Sequence, residues 1–470
     1  MKILFAASEA KPFISAGTLG EFIEALPKAL SELGNDCRII IPLYSDIPQI
    51  YRESFTPVTD FDIEVGGETR NCKIFSSESR GVVYYFVDNE NYFSRVGLYD
   101  QKDDCERYSF FCKAVLEAIR HLEFVPDIIH CNDWETGAIP VLLRTVYRTD
   151  SLYSKVKTVF TIHNVQYQGN FDMSAAEKFL GLHKSKHYIV EHGGNCNFMK
   201  GGIDQCDVAT TISSTYASEL LGSWHSWGMD KVLRERKYKF AGILSGIDTA
   251  LYNPETDDYI PHHFSIDNLT GKAMDKSELQ KEIGLDESPN TMLIGMVTRL
   301  VPYKGIELIE SAADRIMKLP VQLVILGCGQ VKYEDYLRRF QSRYPGRVSV
   351  ITGFVPPIAH RIYAGADVLL MPSKSEPCGF SQMISLRYGT IPIVRETGGL
   401  KDSIHDFANP GGNGYTFKSF HAEDMLDAIQ RAYEHYHSDC WHDAMNVAMR
   451  YDFSWNQTAA AYNQLYGAII

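Results

Sequence analysis

Short, continuous apolar runs rich in β-branched residues recur along the chain. The first half carries Lys2–Ser8, Cys37–Tyr44, Gly81–Asp88, Ile128–Asn132, Thr158–His163 and Val208–Ser213. The second carries Met292–Thr298, Val321–Gly327, Val348–Gly353, Val368–Pro372 and Ile391–Arg395. Their hydrophobicity is continuous rather than alternating, which predicts strands covered on both faces, as in parallel sheets. Helical spacing fills the gaps: Ile23, Leu26, Leu30 and Leu33 mark a helix over Gly20–Leu33, stopped by Gly34-Asn35. Phe111–Leu122 and Gly305–Met317 read the same way. Strand–helix alternation over the whole length predicts an α/β protein.

The alternation restarts in the middle. After Phe240–Gly246 comes a polar passage, residues 253–289, with an embedded helix at Lys272–Gly284; a new strand begins at Met292. A domain change is therefore placed near residues 246–252. Two doubly wound domains fit, and in such domains ligands lie at the carboxyl ends of the strands.

Composition narrows the function. Of 470 residues, 45% are hydrophobic and 22% charged, as in ordinary globular proteins. Forty-six Lys+Arg against 59 Asp+Glu give a formal charge of −13, which disfavours binding to nucleic acid but leaves room for a small anion. No run approaches the roughly 20 apolar residues of a membrane helix, and the apolar opening is too short for a signal peptide. A cytoplasmic protein without a membrane partner is expected. The 10 cysteines form no CxxC pair, so neither zinc nor a disulfide framework is expected. Cys37, Cys112, Cys131 and Cys206 lie in or beside apolar runs and read as buried thiols.

Four segments carry candidate chemistry. After the first strand, Ser15-Ala16-Gly17-Thr18-Leu19-Gly20-Glu21 leads into a helix, offering backbone N–H groups and a positive dipole end to an anion. After strand Met292–Thr298, Arg299 and Lys304 place cations suited to a diphosphate. After Val368–Pro372 comes Ser373-Lys374-Ser375-Glu376-Pro377-Cys378-Gly379-Phe380-Ser381-Gln382. There Pro377 and Gly379 shape a tight turn, Ser381 is expected to cap a helix, and Glu376 suits sugar hydroxyls. Cys378 has no adjacent His or Asn partner and reads as a turn residue. Finally, His130-Cys131-Asn132-Asp133-Trp134 and Thr161-Ile162-His163-Asn164 each close a buried strand.

In order along the chain, these segments resemble the bacterial glycogen synthases and plant starch synthases, retaining glucosyltransferases of glycosyltransferase family 5. The resemblance also rests on Ala7-Ser8-Glu9, Tyr92-Phe93 through Gly97-Leu98-Tyr99, Tyr167-Gln168-Gly169, Gly246-Ile247-Asp248, Arg387-Tyr388-Gly389-Thr390, Thr397-Gly398-Gly399-Leu400 and Phe453-Ser454-Trp455. It implies the GT-B fold, two Rossmann-like domains. Residues 1–246, completed by a final helix over 454–470, would form the starch-synthase domain on the acceptor side. Residues 247–453 would form the nucleotide-sugar domain. It implies extension of α-1,4-glucan from a nucleotide-glucose, ADP-glucose foremost, without metal or other cofactor, and a glucan acceptor. By the same resemblance, Arg299 and Lys304 would stabilise the leaving diphosphate and Glu376 would hold glucose hydroxyls. His163 and Asp133 would line the sugar pocket, while Ser15, Gly17, Thr18, Gly20 and Cys378–Gln382 would bind the donor.

Several positions depart from the family pattern. Its phosphate loop reads Lys-Thr/Val-Gly-Gly-Leu-Gly-Asp, so Ser15 replaces a donor-binding lysine and Thr18 the second glycine. Ser245 replaces the asparagine of Asn-Gly-Ile-Asp, and Asn132 replaces a histidine. Ser15 and Thr18 bring in a second reading, a catalytically weakened paralogue serving as glucan-binding or regulatory partner. Oligomeric state stays open.

Overall fold

A computed structural model describes residues 1–470. Contacts divide the chain into two units, Met1–Ser245 with Trp455–Ile470, and Gly246–Ser454.

In the first unit the strands are β1 (Lys2–Ala6), β2 (Asp36–Pro42), β3 (Thr56–Val65), β4 (Glu68–Ser79), β5 (Val82–Asp88), β6 (Ile128–Asn132) and β7 (Lys157–Ile162). Then come the short β8 (Asn170–Phe171), β9 (Glu191–His192) and β10 (Asn195–Asn197), followed by β11 (Val208–Thr211) and β12 (Phe240–Gly242). The main sheet runs β12-β11-β7-β6-β1-β2-β5-β4-β3, parallel except for β4 and β3 at one edge. β8, β10 and β9 make a separate small sheet. Ile3, Leu4, Phe5 and Ala6 of β1 are wholly buried, as expected for a central strand with helices on both faces.

Helix Thr18–Glu32 lays Phe22, Ile23, Leu26 and Leu30 on the core and carries Pro27 within it. The last helix of the chain, Trp455–Gly467, belongs to this unit and packs on the same helix, with Trp455 against Phe22. It also delivers a hydroxyl to the core: Tyr466 OH lies 2.6 Å from His130 Nδ1, and His130 Nε2 lies 2.6 Å from Thr161 Oγ1. A buried imidazole is thereby satisfied at both nitrogens, as burial demands.

The apolar-run reading misses β3 and β4, which form an antiparallel hairpin closed by Gly66-Gly67. In β3, Asp60, Asp62 and Glu64 alternate with Phe61, Ile63 and Val65, so only one face is apolar. A search for continuous hydrophobicity passes over such a strand.

The second unit is a parallel sheet of β13 (Met292–Val297), β14 (Val321–Gly327), β15 (Val348–Thr352), β16 (Val368–Met371), β17 (Ile391–Arg395) and β18 (Tyr415–Phe417), in the order β15-β14-β13-β16-β17-β18. Chain order reverses between β13 and β16. Their carboxyl ends therefore form a topological switch point, where such sheets bind ligands. No helix in either unit is long and apolar enough to cross a membrane.

Candidate active site

In the first unit the carboxyl ends of β7, β6 and β1 lie side by side, with Asn132 opposite Thr161 and Ala6 opposite Cys131. This brings together His163, Asn132-Asp133 and Ser8-Glu9, one group from each strand end. Asp133 sits at φ 55°, outside the range most side chains adopt, and its Oδ1 accepts the His163 backbone N–H at 2.8 Å. Burial raises the Asp133 carboxyl above the usual carboxylate range, against the pull of the His163 and Asn164 amides. The neighbouring Glu135 is raised well above its ordinary value by burial and then by the Asp133 charge, and its Oε2 has no hydrogen-bond partner. Burial lowers the His163 imidazole to about 3, and Phe22 covers its ring edge to face at 4.6 Å.

The loop before helix Thr18–Glu32 corrects one expectation. Three of its amides are already taken by a carboxylate of the chain itself. Glu9 Oε2 accepts the Ala16 N–H at 2.7 Å, and Oε1 accepts those of Gly17 and Gly20 at 3.2 and 3.0 Å. A carboxylate from the end of β1 thus occupies the amide nest and the positive end of the helix, a placement worth about 0.3–1 kcal/mol beyond the hydrogen bonds. Ser15 Oγ turns inward to the Gly17 carbonyl at 2.9 Å, and Thr18 opens the helix on the exposed side. The loop's cation is Lys11, ion-paired to Glu21 at 2.6 Å.

In the second unit the switch-point loops are locked together. Gly305 follows β13 at φ 77°, and a Cβ there would stand 2.1 Å from the Pro372 carbonyl after β16. Only glycine permits that approach. The Tyr303 carbonyl then accepts the Lys374 N–H at 2.8 Å. This frame sets Lys304 Nζ 2.5 Å from Glu376 Oε2, which also accepts a hydrogen bond from the Ser373 hydroxyl at 3.0 Å. Both ion-paired side chains are mostly buried, at 14% and 7% exposure.

The sequence reading treats Arg299 and Lys304 as an equivalent pair, and the structure separates them. Arg299 is exposed, with its guanidinium on the Tyr303 hydroxyl at 3.0 Å. The 376–379 turn is backed by Gly398, whose φ of 44° and missing Cβ allow contact with the Glu376 carbonyl. This gives Thr397-Gly398-Gly399 a structural reason.

Ser381 does not cap the following helix, a further correction. The N-cap is Phe380, and Ser381 Oγ accepts a hydrogen bond from Tyr363 OH at 3.0 Å. Gln382 Nε2 instead braces the turn, donating to the Cys378 and Gly379 carbonyls at 3.2 and 3.0 Å. Cys378 is buried in that turn. Glu9, Ser373, Tyr303 and Asn132 are neighbours to which sequence reasoning assigns no role in the site, although Ser373 and Asn132 lie in candidate segments. Their one mark in the sequence is a polar residue at or within three residues of the end of a buried strand, as with Glu9, Asn132 and Ser373.

Two Rossmann-like units, one with a cation and a carboxylate paired at its switch point, define a glycosyltransferase of the GT-B class. Residues 2–235 match the starch synthase catalytic domain, and residues 275–440 match glycosyl transferases group 1. The chain is 46% identical to a glycogen synthase of Desulforamulus reducens, covering 100% of this chain and 99% of that protein. It is 44% identical to one from Bacillus cereus, over the full length of both. The catalytic domain of starch synthase IV from Arabidopsis thaliana, solved with ADP and acarbose, superposes with a TM-score of 0.89 at 32% identity, covering 100% of this chain and 99% of that one. Sucrose-phosphate synthase from Thermosynechococcus elongatus, at 17% identity and a TM-score of 0.60 over 100% of this chain and 98% of that one, shares the fold. The chain belongs to the glycogen synthase and starch synthase family of glucan-extending glucosyltransferases.

Proposed function

We propose that the protein transfers glucose from ADP-glucose to the non-reducing end of an α-1,4-glucan with retention of configuration and without a metal. One observation carries the reading: the buried Lys304–Glu376 pair at the switch point, which holds a cation for a phosphate beside a carboxylate for sugar hydroxyls. Arg299 and Lys304 supply positive charge to the leaving diphosphate, the role a metal plays in other transferases. Backbone amides near Phe380–Gln382 take the distal phosphate, and His163 and Asp133 line the sugar pocket of the first unit. The glucosyl C1–O bond to phosphate breaks, the acceptor hydroxyl oxygen forms the new C1–O bond on the same face, and its proton passes to the departing phosphate. The ADP and acarbose bound to the Arabidopsis relative support an adenine nucleotide donor and an oligoglucan acceptor.

The alternative regulatory role rests on Ser15 and Thr18 alone and finds no support in relatives that match over the whole length. The test is incorporation of labelled glucose into glycogen from ADP-glucose and, separately, UDP-glucose. Transfer from UDP-glucose alone overturns the donor assignment. Transfer from neither overturns the function.

A further inference from the structure

Asn132 ends β6 fully buried, and its surroundings fix which way its amide points. Its Nδ2 lies 3.2 Å from the Ala6 carbonyl and 3.2 Å from the His130 carbonyl. A reversed amide would set Oδ1 against two carbonyl oxygens with no proton between them. The side-chain oxygen therefore faces His163 Nε2, 3.0 Å away. An amide oxygen only accepts, so Nε2 must be the nitrogen that carries the proton. In a neutral imidazole Nδ1 is then left with a bare lone pair.

The titratable groups facing this ring are few. Asp133 is committed to the His163 backbone N–H, and His130 to Tyr466 and Thr161. The packed helix presents Phe22, which has no charge. Asn132 is thus the neighbour that selects the tautomer.

We propose that Asn132 is a positioning residue that locks His163 as the Nε2–H tautomer, so that the imidazole meets substrate as a hydrogen-bond acceptor through Nδ1 and not as a proton donor. The substrate half of this statement rests on the sugar-pocket role given to His163 above; the tautomer half does not. In that pocket the bare Nδ1 suits a sugar hydroxyl, which arrives with a proton to donate. The histidine that the family pattern has at position 132 would bring a second ring able to donate or accept, and the selection would be lost. Asparagine fixes it without adding a titration.

The test uses the full chain, labelled with ¹⁵N-histidine. Two-bond ¹H–¹⁵N correlation spectra read the tautomer directly, with His163→Gln identifying the signals. A protonated Nε2 and unprotonated Nδ1 are expected between pH 6 and 8; a protonated Nδ1 overturns the proposal.

Kinetics supply the second arm. Asn132→Asp keeps an acceptor on Nε2 but favours imidazolium, and should raise the acid limb of kcat/KM by about one pH unit or more. Asn132→Leu frees the tautomer and should lower kcat/KM roughly tenfold without moving that limb. A residue that merely filled space would lower the unfolding temperature and leave the pH profile in place in both variants, which also overturns the proposal. If wild-type protein shows the Nε2–H tautomer but transfers no glucose, the functional reading fails while the tautomer lock stands.

Discussion

Replacing Lys304 by Met should damage the protein twice, whereas replacing Arg299 by Met should damage it once. Lys304 and Glu376 are a mostly buried pair, and the other group on the Glu376 carboxylate is one hydroxyl, from Ser373. Removing the ammonium leaves a carboxylate 5% exposed with that single partner. Breaking a buried pair in this way costs about 3–5 kcal/mol, because the remaining charge is desolvated without compensation. For a unit of this size, that is a drop on the order of 6–20 °C in its unfolding temperature. Arg299 is exposed and its guanidinium meets the hydroxyl and the ring of Tyr303, an exposed contact, so Arg299→Met should change stability by less than about 0.5 kcal/mol.

Activity should not distinguish them in the same way. If each cation faces the leaving diphosphate, each loss removes about 2.7–4 kcal/mol of transition-state stabilisation, a fall of about 10²–10³ in kcat. The double variant Lys304→Met/Glu376→Leu separates the effects, since an apolar replacement of the whole pair is close to neutral for folding. It should regain most of the lost melting temperature and none of the activity. Calorimetric unfolding and labelled-glucose incorporation on the four proteins decide the matter. A Lys304→Met protein melting within 1 °C of wild type, or an Arg299→Met protein with normal turnover, refutes the reasoning.

Tyr466→Phe removes the hydroxyl on His130 Nδ1 and leaves a buried nitrogen unsatisfied; urea unfolding should show a loss of about 1–3 kcal/mol in the first unit. Burial holds the His163 imidazole at about 3, below its unfolded value, so the unfolded chain binds more protons between those limits. Stability should therefore fall as pH drops below about 6.5, and His163→Gln should flatten that part of the urea-midpoint profile. Glucosyl transfer should survive excess EDTA, as no cluster of three or more His, Cys, Asp or Glu side chains is arranged to hold a metal ion; loss restored by magnesium would contradict the electrostatics. Ser15→Lys with Thr18→Gly should tighten ADP-glucose binding by roughly 10- to 150-fold in calorimetry, through one added charge-assisted contact of about 1.5–3 kcal/mol.

Buried strands were the most legible part of the sequence, because a strand covered on both faces must be apolar throughout. Met292–Val297, Val321–Gly327 and Ile391–Arg395 announce themselves in this way. The β3–β4 hairpin does not, since its outer face is charged, although Gly66-Gly67 between two alternating runs is the turn such a hairpin needs. Of the site, the residues at strand ends were legible as candidates, because a polar group directly after a buried strand has few structural reasons to be there. Their partners were not. That Lys304 belongs to Glu376 while Arg299 stands exposed depends on Gly305 touching the Pro372 carbonyl, a contact between segments more than sixty residues apart. Ser381 shows the same limit: a serine at a helix start reads as a cap until Tyr363, from another helix, takes its hydroxyl.

The glycine loop shows how one unforeseen partner changes the meaning of a motif. A strand, a glycine turn and a helix N-terminus together read as an anion site, and an anion is there, but it is the chain's own Glu9. With the Ala16, Gly17 and Gly20 amides so occupied, the loop has fewer N–H groups to offer a phosphate and gains more from a cation. Position 15 carries none, and Lys11 spends its charge on Glu21. Glu9 and Glu21 outnumber Lys11 between residues 8 and 21, so this segment carries no surplus positive charge for a diphosphate. The β13 and β16 loops are the reverse case, with Arg299, Lys304 and Lys374 against the single carboxylate of Glu376. Departures from the family pattern at Ser15 and Thr18 therefore fall on a loop that contributes little attraction of its own. Under the proposed reaction the charge for the leaving group is that of Arg299 and Lys304, so Ser15 and Thr18 are expected to raise the donor KM and to leave turnover in place; a chain without turnover even at saturating ADP-glucose refutes this.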